Sequence, residues 1–264
     1  MLLDGGKPKV PPEQLERVIQ RAGIEVGDTD PDFGVVVGGD GRFSWYGRTE
    51  AIPLLFVGVR AKGATGSKAH LAQTTFDRLP DALRTIRAGE FAIARHKRLR
   101  VMRNGVDIGE VFTDVYLQRG SEAGCIRYKV RVAGPRTRID EAAIADGVVV
   151  STPAGATGYF SYPDRIRGDW MDPTAFAKIG RGKVGICHIT PTFTEREGSD
   201  RHPLRYVVPW GSRVELSLFR SADARLYGTT DRSSGVKVSL GDLITIVPGR
   251  KTTNVMVFRD RKSP

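Results

Sequence analysis

A single carboxylate, Asp40, stands among three glycines in the stretch Gly38-Gly39-Asp40-Gly41. The preceding run, Gly34-Val35-Val36-Val37, is typical of a strand buried on both faces. Glycines let the backbone turn and approach a ligand closely, because they carry no Cβ. An acid at the end of a central parallel strand lies where open α/β sheets bind ligands, so Asp40 is a candidate ligand-binding residue. The alternative is a tight turn in which Asp40 is an ordinary turn residue.

A second apolar strand also runs into a loop of small residues, more than a hundred positions downstream. Asp146-Gly147-Val148-Val149-Val150 leads into Ser151-Thr152-Pro153-Ala154-Gly155-Ala156-Thr157-Gly158-Tyr159. The hydroxyl and backbone N–H groups of such a loop suit sugar hydroxyls, phosphates or the edge of an adenine ring. A turn between two strands is the alternative for this stretch taken alone.

The charge of the 264-residue chain favours anionic partners. Its 41 Lys and Arg against 30 Asp and Glu give a formal net charge of +11. This charge suits nucleotide phosphates, nucleic acid or an anionic membrane, and a solvated basic surface would give the same composition. Cys125 and Cys187 lack metal-ligand spacing, so we expect buried thiols. Such thiols suit a reducing cytoplasm. Without a signal-peptide core or an apolar run of about 18 residues, we expect a cytoplasmic protein that does not enter a membrane.

The N-terminal part of the chain alternates helix and strand patterns. The predicted elements are a helix at residues 12–23, a buried strand at 34–37, a short helix at 42–46 that Gly47 ends, a buried strand at 52–59 and a helix at 76–88. A strand, a short crossover and a second strand together indicate an α/β domain with an open, mostly parallel sheet.

After residue 91 the pattern changes to many short strands. They are predicted at residues 91–94, 99–103, 111–119, 125–133, 147–151, 185–190, 206–209, 213–219, 236–238, 243–247 and 254–259. In the fourth of these, alternation places Ile126, Tyr128, Val130 and Val132 on one face. Many short strands separated by turns indicate an all-β, sandwich-like second domain that begins near residues 90–98.

Taken together, the two glycine-rich stretches resemble the NAD kinase family. The resemblance covers roughly residues 34–258, and two motifs carry most of it. The first is Gly-Gly-Asp-Gly after a strand, and the second is Asp-Gly followed by three apolar residues and Ser-Thr-Pro-x-Gly-x-Thr-x-Tyr. It implies an α/β domain, a β-rich domain and a C-terminal segment that returns to the first. We therefore expect a nucleotide-binding domain at residues 1–95, with 248–264 packing back on it. Residues 96–247 would form a β-rich dinucleotide-binding and oligomerisation domain.

The resemblance implies phosphorylation of NAD at the adenosine ribose 2′-hydroxyl to give NADP, with ATP and Mg²⁺ as the donor. Asp40 would orient that hydroxyl and accept its proton late, since an ordinary Asp pKa of about 3.9 is too low for early abstraction. The residues implied in nucleotide binding are Gly38, Gly39, Gly41, Thr113, Asp114, Asp146, Ser151, Thr152, Thr157, Tyr159 and Asp231. No metal ligand from the chain is expected, and the family implies a homodimer or homotetramer.

The chain departs from the family pattern mainly in its ligand-binding stretches. Arg42 stands where the family has Thr, so it would either bind a phosphate or block the usual donor position. Thr113 replaces an Asn, and Asp231 is followed by Arg232 instead of Gly. Two alternatives stay open: a related Gly-Gly-Asp-Gly kinase acting on a lipid or nucleoside hydroxyl, and a non-catalytic dinucleotide- or nucleic-acid-binding protein. The absence of helix-turn-helix, zinc and aromatic stacking patterns makes nucleic acid the less favoured ligand.

Overall fold

The computed structural model describes residues 2–3, 10–59, 69–167, 176–199, 203–229 and 234–258. Two units divide the chain: unit 1 is Met1–His96 with Thr252–Pro264, and unit 2 is Lys97–Lys251. Among the described residues, no helix has the length and apolar character needed to cross a membrane.

The described helices and strands follow one another along the chain. The helices are α1 (Pro12–Arg21), α2 (Asp40–Thr49), α3 (Leu79–Arg87) and α4 (Tyr162–Ile166), with 3₁₀ turns at Phe76–Arg78, Pro153–Gly155 and Tyr159–Ser161. The strands are β1 (Leu2–Leu3), β2 (Gly34–Gly38), β3 (Leu54–Gly58), β4 (Thr74–Thr75), β5 (Phe91–Arg103), β6 (Val106–Val111), β7 (Asp114–Arg119), β8 (Ile126–Gly134), β9 (Thr137–Ala145), β10 (Gly147–Ser151), β11 (Lys183–Ile189), β12 (Phe193–Arg196), β13 (Arg205–Pro209), β14 (Arg213–Leu218), β15 (Ala224–Tyr227), β16 (Val236–Val238) and β17 (Leu243–Phe258).

Unit 1 is built on a parallel sheet whose central strands are buried on both faces. β2 pairs in parallel with β1 and β3, and β3 also pairs in parallel with β4 and, through Leu54, with Val255 of β17. One face of β2 and β3 packs against apolar residues of α1 and α3. On the other face Phe43 of α2 stacks on Phe56 of β3, with ring centroids 4.7 Å apart. The predicted parallel sheet and the return of the C-terminal segment are confirmed.

The helix α2 differs from its prediction, because Gly47 does not end it. α2 starts at Asp40 and continues through the buried Gly47 to Thr49. A glycine inside a helix costs about 1 kcal/mol relative to Ala. Here its carbonyl oxygen also accepts a hydrogen bond from the hydroxyl of Thr253. This hydrogen bond joins the helix to the returning C-terminal segment within unit 1.

Unit 2 is built on antiparallel strands in two layers, with an apolar core between them. One sheet has the order β13-β11-β10-β7-β15-β16, and β14, β8, β9 and β12 lie side by side in a second layer, with the start of β17 beside β14. Residues of both layers, among them Val130 and Val150, belong to the same core cluster. The predicted alternation in β8 is confirmed, because Ile126, Tyr128, Val130 and Val132 are all buried. The sandwich-like fold class is likewise confirmed.

Several strand boundaries were predicted wrongly. The stretch 111–119 contains the end of β6, a turn at Phe112 and Thr113, and β7. The strands β9, β12 and β15 were not predicted at all. β9 lacks an apolar alternation because its buried positions carry Glu141, Ala143 and Ala145, whose types do not mark a core strand.

Candidate functional site

Asp40 is the first residue of α2 and follows β2 after the N-cap residue Gly39. Because β2 and β3 are parallel, it lies at the carboxyl end of these strands, where open α/β sheets bind ligands. Its Oδ1 accepts a hydrogen bond from the backbone N–H of Leu71 at 2.9 Å. The fold therefore holds this carboxylate in a defined position at that edge of unit 1.

The glycines around Asp40 do not adopt left-handed conformations. Gly39 is extended, with φ −126° and ψ 178°, and neither Gly38 nor Gly41 is among the described glycines with positive φ. A Cβ on Gly41 would meet nothing within 4 Å, whereas one on Gly38 would lie 3.0 Å from Cδ of Arg42. The chain therefore changes direction at Gly39, directly from strand to helix, without a residue in the left-handed conformation.

Arg42 braces this junction from the first turn of α2. Its side chain folds back over Gly38, and its Nη1 donates a hydrogen bond to the carbonyl oxygen of Val37 at 2.9 Å. The guanidinium is thus directed to the end of β2. Contact between the Arg42 guanidinium and a donor phosphate stays a prediction.

The hydroxyls of Ser151 and Thr152 are turned into unit 2, and both residues are buried. Thr152 Oγ1 donates to the carbonyl oxygen of Phe112 at 2.7 Å, and the Thr152 N–H donates to that of Thr113 at 2.8 Å. The Oγ of Ser151 lies 3.4 Å from the same Thr113 oxygen. These bonds fix the loop after β10 against the turn between β6 and β7. Direct contact of either hydroxyl with a ligand stays a prediction.

Gly155 shows how tightly this loop is packed. A Cβ at this position would lie 2.4 Å from both Ser151 Oγ and the carbonyl oxygen of Thr113. Real Cβ atoms do not come this close to other heavy atoms, so the loop requires glycine here.

The carboxylate of Asp114 is placed beside this loop by strand pairing. Asp114 begins β7 and is opposite Ser151 of β10 in the ladder. Thr113 Oγ1 lies 3.3 Å from Asp114 Oδ1. Burial raises the pKa of Asp114 from 3.8 to about 6, and the Thr113 hydrogen bond offsets only part of this effect. Such an incompletely solvated carboxylate favours a hydrogen-bond donor supplied by a ligand.

Three tyrosines form a continuous group next to Asp114. Tyr159 is 44% exposed and meets the ring of Tyr116 edge-on, with centroids 5.0 Å apart and an interplanar angle of 72°. Tyr116 stacks on Tyr227, with centroids 5.2 Å apart and an interplanar angle of 19°. Tyr159 was predicted from the sequence, whereas Tyr116 and Tyr227 were not, because only the pairing of β7 with β15 brings them together.

The remaining predicted residues lie in different places. The main-chain oxygen of Thr157 accepts a hydrogen bond from Ser161 Oγ at 3.1 Å. Asp146 lies at the opposite end of β10 from Ser151, where it contacts Arg119 Nε at 2.9 Å and Thr190 Oγ1 at 2.6 Å. The structure therefore does not bring Asp146 to the loop. Asp231 lies outside the described residues, and within the described ranges no three His, Cys, Asp or Glu side chains group as metal ligands.

A buried polar network inside unit 2 was not expected from the sequence. His188 lies 2.7 Å from the hydroxyl of Tyr128 through Nδ1 and 3.2 Å from Glu141 through Nε2. Glu141 also accepts a 2.7 Å hydrogen bond from Tyr206 and lies 3.5 Å from Arg196. Burial alone would raise the pKa of Glu141, but His188, Tyr206 and Arg196 hold it below its usual value. This network ties five strands together and lies apart from the tyrosine group.

A second ion pair, between the buried Asp164 and the half-buried Arg205, anchors α4 beside the loop. Arg205 of β13 donates to both carboxylate oxygens of Asp164, at 2.7 and 2.8 Å. The backbone N–H of Ala177 donates to the same carboxylate at 3.0 Å. The Arg205 hydrogen bonds lower the pKa of Asp164 despite its burial.

Comparison with known proteins assigns this arrangement to a family. The chain is 30% identical to an NAD kinase from Geobacter sulfurreducens over 241 residues, which cover 87% of this chain and 74% of that protein. The chain belongs to the NAD kinase family. It is also 30% identical to an NAD kinase of Nitratidesulfovibrio vulgaris over 224 residues, 82% of this chain and 66% of that protein. No protein-family model matches the chain.

Solved structures show the same fold. An Archaeoglobus fulgidus NAD kinase in complex with ATP superposes with a TM-score of 0.63 and 20% identity, over 95% of this chain and 90% of that one. A yeast NADH kinase complexed with NADH gives a TM-score of 0.62 and 18% identity over 88% of this chain. The chain spans 63% of the length of that yeast kinase. The family and fold predicted from the two glycine-rich stretches are confirmed.

Proposed function

We propose that this protein transfers the terminal phosphoryl group of ATP to the 2′-hydroxyl of the adenosine ribose of NAD, giving NADP. The observation that carries the proposal is the position of Asp40 at the β2–α2 junction, in a chain that belongs to the NAD kinase family. The net charge of +11 suits two polyanionic substrates.

Asp40 is the proposed catalytic residue. Phosphoryl transfer depends mainly on positioning and charge neutralisation, so the task of Asp40 is to align the acceptor hydroxyl with the phosphorus and accept its proton as the new bond forms. The 2.9 Å hydrogen bond from Leu71 holds one of its carboxylate oxygens in place. The N-terminal end of α2 carries a partial positive charge from the helix dipole, which favours anionic groups at this end.

Unit 2 supplies the proposed dinucleotide site. Asp114 presents an acceptor beside the partly exposed ring of Tyr159, and Gly158 leaves space in front of that carboxylate, since a Cβ there would lie 3.0 Å from Asp114 Oδ2. Ser151 and Thr152 serve this site by holding the loop through their bonds to the turn before β7. An acceptor, an aromatic face and an unobstructed backbone fit a dinucleotide that carries amino and amide donors.

The proposed phosphoryl donor is Mg–ATP. Magnesium bound to the triphosphate would reduce the negative charge that otherwise opposes transfer. We further propose that Arg42, which braces the β2–α2 junction, also lies near the donor phosphates, so that an Arg42→Thr variant changes the KM for ATP more than the KM for NAD.

A panel of acceptors tests the proposal. The purified protein is incubated with Mg²⁺ and γ-labelled ATP together with NAD, NADH, a nucleoside or a diacylglycerol. We expect label in NADP or NADPH, identified by a dehydrogenase that uses only the 2′-phosphorylated cofactor. Label in the nucleoside or the lipid, with none in the dinucleotides, would contradict the proposal.

The setting of the reaction is also proposed. We expect a cytoplasmic homodimer or homotetramer, with unit 2 supplying the contacts between subunits. Light scattering coupled to size-exclusion chromatography measures the oligomer, and a monomer at micromolar concentration would contradict this expectation.

A further inference from the structure

Tyr116 occupies the centre of the tyrosine group. Its ring contacts Tyr159 edge-on at 5.0 Å on one side and stacks on Tyr227 at 5.2 Å on the other. Edge-on and stacked arrangements at these distances are favourable and hold the rings in defined orientations. Tyr116 lies in β7, in the middle of a sheet, and therefore fixes the orientation of the exposed ring of Tyr159 at the start of the 3₁₀ turn Tyr159–Ser161.

The carboxylate of Asp114 is on the same face of β7 as this ring, because side chains two positions apart in a strand point the same way. Its Oδ1 accepts a hydrogen bond from the hydroxyl of Thr113 at 3.3 Å, and its Oδ2 faces Gly158, which has no side chain. A partly buried carboxylate oxygen that faces a glycine is open to a hydrogen bond from a donor group of a ligand.

Two glycines lie next to Asp114, one facing its carboxylate and the other facing its main chain. Gly158 lies in front of Asp114 Oδ2, as described above. Gly228, which follows Tyr227, has φ +97°, and a Cβ there would lie 2.3 Å from the carbonyl oxygen of Asp114. Next to it, the hydroxyl of Thr229 is buried without a partner among the described residues. The surroundings of Asp114 thus combine aromatic faces with one buried hydroxyl that lacks a partner among the described residues.

We infer that Tyr116 is a positioning residue for the dinucleotide: it joins Tyr159 and Tyr227 into one aromatic surface on which a planar ring stacks while its amino or amide group donates to Asp114. This inference rests on the proposed function for the identity of the ligand. Adenine carries an amino group and nicotinamide a carboxamide, so either ring of NAD has the required chemistry.

Binding measurements without ATP test the inference independently of catalysis. The affinities of wild-type protein, Tyr116→Leu, Tyr116→Phe and Tyr227→Leu for NAD, AMP and nicotinamide mononucleotide are measured by titration calorimetry. Because stacking of a base on an aromatic side chain is worth about 1–3 kcal/mol, we expect Tyr116→Leu to weaken NAD binding about tenfold or more. Tyr116→Phe keeps the ring and should stay within about twofold of wild type.

Phe219→Leu is the matched control, since it removes an exposed aromatic ring of the same unit away from β7 and should leave NAD affinity unchanged. A loss of affinity for AMP alone identifies the stacked ring as adenine, and a loss for the mononucleotide alone identifies nicotinamide. If Tyr116→Leu does not fold, Tyr227→Leu decides in its place. Unchanged affinity for all three ligands in a folded leucine variant would overturn the inference.

The kinetic readout separates this inference from the proposed function. If NADP is formed, Tyr116→Leu should raise the KM for NAD about tenfold while kcat and the KM for ATP change less than threefold. If the wild-type protein binds NAD but forms no NADP, the proposed function fails while the affinities still decide the role of Tyr116.

Discussion

Replacing Asp114 by Asn should stabilise the protein at neutral pH. Burial raises the pKa of Asp114 from 3.8 to about 6, so its charged form is less favourable in the folded protein than in the unfolded chain. Because a tenfold change in an equilibrium constant is about 1.4 kcal/mol, this pKa corresponds to about 3 kcal/mol of lost stability at pH 7. Asn keeps the acceptor for Thr113 and carries no charge, so it should recover most of that free energy.

The pH dependence follows from the same pKa. Between about pH 4 and 6 the folded state binds more protons at Asp114 than the unfolded state, so this contribution to stability falls as the pH rises. Urea unfolding at pH 4, 5, 6 and 7 should show Asp114→Asn and wild type nearly equal at pH 4. The variant should become more stable by about 2–3 kcal/mol at pH 7, where the difference levels off.

Asp242→Asn is a control whose effect on stability should have the opposite sign, because the pKa of Asp242 is lowered, not raised. Asp242 accepts a 2.7 Å bond from Arg103 and another from Asn104, and the Arg103 bond lowers the pKa of Asp242. Asp242→Asn should therefore destabilise the protein at pH 7. An Asp114→Asn variant that is no more stable than wild type at pH 7, or a difference that does not change with pH, would refute the reasoning.

Three further substitutions test the packing of the two units. Gly155→Ala should lower the free energy of unfolding by more than about 2 kcal/mol, because the new Cβ has no room. Gly41→Ala, whose Cβ meets open space, should be neutral or slightly stabilising, and urea unfolding of both variants measures the contrast. Glu141→Ala leaves the buried His188 and its neighbours without their shared partner and should cost about 3–5 kcal/mol, so a loss below 1 kcal/mol in thermal unfolding would contradict the network. Asp164→Ala should lower the free energy of unfolding by about 3 kcal/mol at pH 7. Because the pKa of Asp164 is lowered in the folded protein, the stability that its charged form contributes is lost as the pH falls below about 4, so the variant and the wild type should differ less at pH 3 than at pH 7 in urea unfolding.

The sequence predicted the parts of the fold that are encoded locally. The valine runs of β2 and β10 mark buried strands because every residue in them is apolar or small, and both strands are buried throughout. The helix that begins at Pro12 is encoded by its apolar face, and Leu15 and Ile19 of α1 are buried. In the site, Asp40 and the loop from Ser151 to Tyr159 were found because glycine and hydroxyl residues follow such strands directly.

Features that depend on contacts between distant segments could not be predicted. The Tyr116–Tyr227 stack exists because β7 and β15 pair, although more than a hundred residues separate them. The inward orientation of the Thr152 hydroxyl depends on the carbonyl oxygen of Phe112, forty positions away. Gly47 was expected to end α2, because the contact from Thr253 is not visible in the local sequence. Composition and spacing describe single elements, whereas these details depend on how elements pair.

The most direct test of the central claim compares wild-type protein and Asp40→Asn in two measurements on the same samples. NADP formed from NAD and Mg–ATP is quantified, and the affinity for NAD is measured without ATP. We expect steady NADP formation by the wild type, a loss of at least about a hundredfold in Asp40→Asn, and NAD affinities within about threefold of each other. A folded, NAD-binding wild type that forms no NADP, or an Asp40→Asn variant that keeps wild-type activity, would contradict the account.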